Sequence, residues 1–209
     1  MATHTVRMAR TGDLLWLWWF FTGVAGFVGG MTIKTIIEIL AEIGGFTPVL
    51  EAIPPALFGA LLGAMLGVST GFVQWLVLRR RLTNIGAWLP VTLATLSLFW
   101  FLHNAEVFGF AHTRWGLVLQ GFGHGAIVGA MLGTAQYLAL RSHVPNARRW
   151  IVISTISWSV AGAIMHLLLS VIFAASGVRG PFDILISSSL AALFSGFGLQ
   201  RLLAEAYDR

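Results

Sequence analysis

Two stretches decide how this chain is read: Gly71-Phe72-Val73-Gln74-Trp75-Leu76-Val77-Leu78-Arg79 and Gly133-Thr134-Ala135-Gln136-Tyr137-Leu138-Ala139-Leu140-Arg141. In each, a tryptophan (Trp88, Trp150) follows the glutamine by 14 residues. A weaker third copy is Phe197-Gly198-Leu199-Gln200-Arg201-Leu202-Leu203, so the glutamines stand 62 and then 64 residues apart. That interval is one helical hairpin, and self-similarity at such a period points to duplicated structure. A unit with an even number of spans repeats in the same orientation, which predicts pseudo-threefold symmetry about an axis near the membrane normal rather than an inverted repeat.

Composition supplies the solvent. The 209 residues are 57% hydrophobic and 10% charged, with a mean hydropathy of +0.82. That is too little charge to cover a soluble domain, so the chain reads as all-α and membrane-embedded, with no room for a separate globular domain. About 20 apolar residues cross the hydrocarbon core. Six segments qualify, near 14–34, 54–78, 86–104, 116–140, 150–175 and 181–203, giving hairpin repeats near 12–80, 84–142 and 147–209. The stretch from Leu14 lacks a small-residue cleavage site and reads as an uncleaved first span.

Six spans place Arg7, Arg10, Arg79–Arg81, Arg141, Arg148, Arg149, Arg201 and Arg209 on one side, with Lys34, Arg114 and Arg179 on the other. Ten cations against three predict cytoplasmic termini. The net charge of +5 then reports topology and lipid headgroups, not nucleic acid. Trp16, Trp18, Trp19, Trp75, Trp88 and Trp150 are expected at the inner interface, Trp100 and Trp115 at the outer one, and Trp158 inside the protein. Beyond the first span, Thr35, Glu38 and Glu42 share one helix face while Ile33, Ile36, Ile37 and Leu40 lie largely on the other. This predicts an amphipathic extension at the outer surface or against a neighbouring subunit.

Glycine recurs every four residues at Gly59, Gly63, Gly67 and Gly71, and again at Gly121, Gly125, Gly129 and Gly133. Ser188, Ala192 and Gly196 repeat the spacing with smaller relief. Each glycine costs about 1 kcal/mol in a helix, so the ridges need close helix packing to offset them; the alternative is a groove for a flat ligand or lipid tail. The expectation is that the second, fourth and sixth spans form a close-packed set and the first, third and fifth lie outside. Gln74, Gln136 and Gln200 end these ridges and are expected to bond a backbone carbonyl of an adjacent helix or a headgroup.

Small residues, then Gly-x-x-Gln-Trp-Leu-x-Leu-Arg-Arg-Arg, then tryptophan 14 residues after the glutamine, resemble a repeat of uncharacterised bacterial polytopic membrane proteins. The resemblance covers about two thirds of the chain, and its third copy departs at Arg201. It implies the fold, the topology and a bacterial inner membrane location. It implies no activity.

Chemistry-bearing residues gather toward the outer half: His103, Asn104, Glu106, His112, His124, His166 and Asp183. His124 and His166 are candidate ligands for a haem or chlorophyll-type tetrapyrrole, with Gly123 and Gly125 leaving room for the macrocycle. His103, Glu106 and His112 are candidate metal ligands. The alternative is that these residues make polar contacts to neighbouring helices, a quinone or a partner subunit. The absence of cysteine excludes disulfides, iron–sulfur clusters and thiolate sites. Gly67-Val68-Ser69-Thr70-Gly71 matches the nucleophile pattern of serine hydrolases, but Ser69 sits mid-helix, away from the histidines. The reading is a non-enzymatic integral membrane protein whose partners are lipids and other membrane subunits, an accessory subunit of a respiratory or photosynthetic complex. A tetrapyrrole- or quinone-binding subunit is the alternative, and a small-solute transporter the next.

Overall fold

The computed structural model describes residues 14–105, 114–172 and 182–207. These form seven helices and no strand: α1 (Leu15–Gly44), α2 (Thr47–Glu51), α3 (Pro55–Leu78), α4 (Trp88–Asn104), α5 (Arg114–Leu140), α6 (Arg149–Ile172) and α7 (Phe182–Tyr207). Four of them, α1, α3, α5 and α6, are long and apolar enough to cross a membrane. The 17 residues of α4 reach about 26 Å, and α7 carries Ser187, Ser188 and Ser189 in one run.

Local chemistry sets the ends. α1 stops at Gly45, whose left-handed φ of 71° lets the next amides reach back to the Ala41 and Glu42 carbonyls. Proline sits in the first turn of α2 and again of α3, where its missing N–H costs nothing. The α3–α4 and α5–α6 turns share one geometry. Each has an asparagine in the left-handed region, Asn84 at φ 59° and Asn146 at φ 58°, a conformation this side chain tolerates. Each also tucks apolar residues inward: Leu82 and Ile85 in the first turn, Val144 and Ala147 in the second, all buried. These residues correspond at the same 62-residue interval as the glutamines.

Apart from α2, every helix touches its chain neighbours, and α7 returns to pack on α1. The six long helices therefore form a closed ring in the order α1, α3, α4, α5, α6, α7. The glycine ridges lie inside the tight pairs of this ring. A Cβ at Gly59 or Gly63 would stand 2.4 Å from the Trp100 carbonyl oxygen or 2.3 Å from that of Leu96, both on α4. One at Gly125 or Gly129 would stand 2.1 Å from the Trp158 carbonyl oxygen or 2.6 Å from that of Ser154, both on α6. The α7–α1 pair is built similarly, with Gly23 against the Ser188 carbonyl and Gly196 against Trp16.

This corrects the expected arrangement of an inner glycine-faced set and an outer set. Each ridge faces the helix that follows it, α3 on α4 and α5 on α6, and all six helices share the ring. Backbone can approach backbone only where one partner lacks side chains, and the helices across the ridges present carbonyl oxygens rather than another ridge.

The tryptophans need a second correction. Trp19, Trp88 and Trp150 were expected at the inner interface but are 1%, 0% and 2% exposed. They meet in a triangle with centroid separations of 5.8, 6.0 and 6.1 Å. Buried indoles need an acceptor, and the glutamines supply it. Trp88 Nε1 donates to Gln74 Oε1 at 3.0 Å and Trp150 Nε1 to Gln136 Oε1 at 3.0 Å. The 14-residue spacing is thus a hydrogen bond across each tight pair, not a contact to a helix end or a headgroup. Trp19 Nε1 donates instead to Ser195 at 3.2 Å, while Gln200 accepts the Trp16 amide at 3.4 Å. Trp18 is 58% exposed and does face outward, and the Arg79 guanidinium lies 4.7 Å over the Trp75 ring.

Candidate functional site

The ring encloses a cavity of about 790 Å³ lined from all six long helices. Its walls are stripes of every fourth residue: Trp19, Gly23 and Phe27 on α1, and Trp150, Ser154, Trp158, Gly162 and His166 on α6. Spacing by four keeps a stripe on one helix face, so the wall is written in the local sequence of each helix. Among the described residues, none that lines it is Asp, Glu, Lys or Arg.

Three levels differ in chemistry. At the end bearing the arginine-rich turns, Trp19 and Trp150 form the floor with Gln74, Gln136 and Ser195. Trp88 and the tucked turn residues close the core beneath them. Polar atoms here are engaged with one another: Gln136 accepts from Trp150 and donates to Thr92 Oγ1 at 3.1 Å. The middle is apolar, with Phe27, Leu66, Leu96, Val128, Leu132 and Ala192.

Toward the other end stand His103, His124, His166 and Gln120, with Phe99, Trp100 and Trp158 beside them. Sixteen residues separate Trp150 from His166 on α6, about 24 Å along the axis. His103 and His124 meet edge to face across the α4–α5 seam, 4.9 Å between centroids at 81°. Phe99 stacks on His103 at 6.0 Å and Trp100 meets it edge-on at 5.3 Å. His166 Nδ1 lies 3.0 Å from the Gly162 carbonyl oxygen. A carbonyl only accepts, so this nitrogen carries the proton and Nε2 is left as an acceptor. Asn104 makes the same four-residue bond to the Trp100 carbonyl at 2.8 Å, 62 residues earlier in the chain.

The histidines expected as tetrapyrrole ligands, His124 and His166, do line one cavity, joined by His103. The room expected beside Gly125 is taken by the Trp158 carbonyl. Of the expected metal set, Glu106 and His112 lie outside the described residues, as does the side chain of Asp183. Among the described residues no group of three or more candidate ligands is arranged to hold a metal ion. Trp100, expected at the outer interface, faces the cavity instead, and Trp158 packs inside as expected. The cavity itself was missed. Its signal was the run of small or hydroxyl residues four positions after each buried tryptophan: Gly23, Thr92 and Ser154.

Ser69 lies in the α1–α3 seam, its hydroxyl 2.6 Å from the Gly26 carbonyl oxygen and 2.9 Å from that of Met65. Its proton is committed to backbone. Ser69→Ala is therefore expected to cost only about 0.6–1 kcal/mol in thermal or denaturant unfolding. The wild-type protein should take no label from a fluorophosphonate probe, and labelling lost in the variant would contradict this account of the hydroxyl.

Fold and site together define a helical ring around a cavity whose described lining holds no Asp, Glu, Lys or Arg. No protein-family model matches the chain, and no curated protein or solved structure is significantly similar to it.

Proposed function

We propose that the chain is an integral membrane protein of six spanning helices that binds an uncharged, largely apolar small molecule inside its ring. The observation that carries this is the cavity of about 790 Å³, lined from all six long helices, with no Asp, Glu, Lys or Arg among its described lining residues. Ligand sites have volumes of roughly 300–1,000 Å³ and a mostly apolar lining with a few polar groups. In this reading α4 and α7 span with the other four because the ring seats them side by side. The three tight pairs, α3–α4, α5–α6 and α7–α1, are related units about a pseudo-threefold axis. The arginine-rich turns and both termini face the cytoplasm of a bacterial inner membrane, which supports entry of ligand from the opposite leaflet.

An environment-sensitive apolar dye, titrated into the full-length protein in lipid nanodiscs, tests the reading. Saturable binding is expected, weakened at least tenfold by Leu132→Trp, whose ring would fill the middle of the cavity, and less by Val128→Phe. Equal dye uptake by all three proteins would overturn it.

A second reading has one observation in its favour. Past the ring, α1 and α2 leave Ile36, Leu40, Ile43, Phe46 and Val49 exposed, Ile43 to 80%. That surface suits a non-enzymatic accessory subunit of a larger membrane complex, and mild-detergent purification with identification of stoichiometric partners tests it.

A further inference from the structure

The chemistry of the cavity lining narrows the ligand of the proposed function, and the assignment of that ligand rests on the proposed function itself. We infer that the cavity takes a quinol-type lipid, its planar head among His103, His124 and His166 with a hydroxyl donating to His166 Nε2, and its tail toward the tryptophan floor.

Polarity along the cavity sets the direction. At the floor, the indole N–H groups are spent on Gln74, Gln136 and Ser195, and the Gln136 amide on Thr92. A ligand's polar head would gain little there and would displace bonds already made. The middle level offers only apolar contact, suited to a hydrocarbon tail. The histidine level is where hydrogen-bonding capacity remains. His166 Nε2 is an acceptor by virtue of the bond its Nδ1 makes to Gly162.

Charge narrows the head. Among the described residues the lining has no Lys or Arg, so a carboxylate or phosphate head would find no cation in it, and burying such a head unpaired costs several kcal/mol. The described lining has no Asp or Glu either, so an ammonium head fails for the same reason. The single N–H of the neutral His166 ring is spent on the Gly162 carbonyl, so its Nε2 can only accept. A hydroxyl donates to it and a carbonyl cannot, which selects a quinol over its quinone. Shape narrows it further. Phe99, Trp100 and Trp158 border the same level, and flat aromatic walls favour a planar ring. A tetrapyrrole is the weaker fit, because the Trp158 backbone fills the space beside Gly125.

The test uses the full-length protein in nanodiscs made from quinone-free lipids. A decyl-substituted benzoquinol, kept reduced under argon, and decylbenzene, the headless control, are each titrated to displace a bound apolar dye, with haem as the competitor class. The quinol is expected to bind at least tenfold more tightly than decylbenzene. His166→Ala should weaken the quinol about tenfold, the worth of one hydrogen bond, and leave decylbenzene unchanged. His166→Gln, which keeps an acceptor for the hydroxyl, should restore part of the loss and guards against a folding defect. Quinol binding no tighter than decylbenzene, or unaffected by His166→Ala, overturns the inference while the proposed function stands. Haem binding tighter than the quinol and lost in His166→Ala overturns it in favour of a tetrapyrrole. If neither quinol nor decylbenzene binds, the proposed function falls, and this inference with it.

Discussion

Gly125→Ala is expected to abolish the monodisperse folded protein, although alanine is the better helix former. Propensity alone would stabilise the variant by about 1 kcal/mol. Against that, the new methyl would sit 2.1 Å from the Trp158 carbonyl oxygen and 2.6 Å from its carbon. Those are backbone atoms of a packed helix and cannot rotate away. α5 and α6 must separate, and every close contact along the ridge separates with them. Overpacking typically costs 1–3 kcal/mol, and the rigid partner puts this site at or above about 3 kcal/mol. Gly162→Ala attacks the same interface from α6, where the Gly121 carbonyl oxygen would lie 2.2 Å away. The two losses should not add, because either one already forces the pair apart. Gly86→Ala is the control: no atom lies within 4 Å of the added carbon, and the change should stay within about 0.5 kcal/mol. Size-exclusion profiles and thermal unfolding in one detergent compare the three. A well-folded Gly125→Ala protein as stable as Gly86→Ala would show that the ridges do not set the helix spacing.

Trp150→Ala should be the second severe change, and it acts on the floor. It removes a fully buried indole from the three-ring contact and leaves the Gln136 carbonyl without its donor. Loss of a buried tryptophan costs about 3–5 kcal/mol. Trp150→Phe separates the two contributions. The ring stays, the N–H goes, and the orphaned carbonyl should cost about 1–3 kcal/mol. Combining Trp150→Phe with Gln136→Leu should recover part of that loss, since no buried polar atom is then stranded in the pair. Recovery is incomplete because Gln136 also donates to Thr92 across the α4–α5 seam. Unfolding midpoints of the two singles and the double form the cycle that measures this coupling. A double variant no better than the sum of the singles would mean that the indole–amide bond contributes little.

Helix class, the apolar character of the long helices and the breaks at Gly45 and before Pro55 were legible because each is local. Apolar runs, proline at helix starts and Gly45 after α1 act within a few residues of themselves. The 62-residue interval was also legible, and it marks more than the glutamines: Asn84 and Asn146 turn the chain the same way, and Leu82 and Val144 are buried alike. Two inferences from the same residues failed for one reason. Tryptophan near the arginine end has a ready explanation in the membrane interface, and glycine ridges have one in mutual packing. A pattern along one helix says which residues share a face, not which neighbour that face meets. Trp18 and Trp19 make the point: adjacent in sequence, one is 58% exposed and the other 1%.

What the sequence determined by itself is therefore the six long helices without the short α2, their apolar character, and the small-residue faces that allow close approach. What only the tertiary structure decided is the pairing. α7 closes on α1 across the full length of the chain, each ridge meets the carbonyls of the next helix, and three indoles from α1, α4 and α6 meet on one level. Those choices depend on contacts between residues as far apart as Trp19 and Ser195, which no local periodicity records. The cavity is their consequence. Six helices held in a ring by glycine contacts between neighbours leave their fourth-residue stripes facing a common space, and three tryptophans close one end of it.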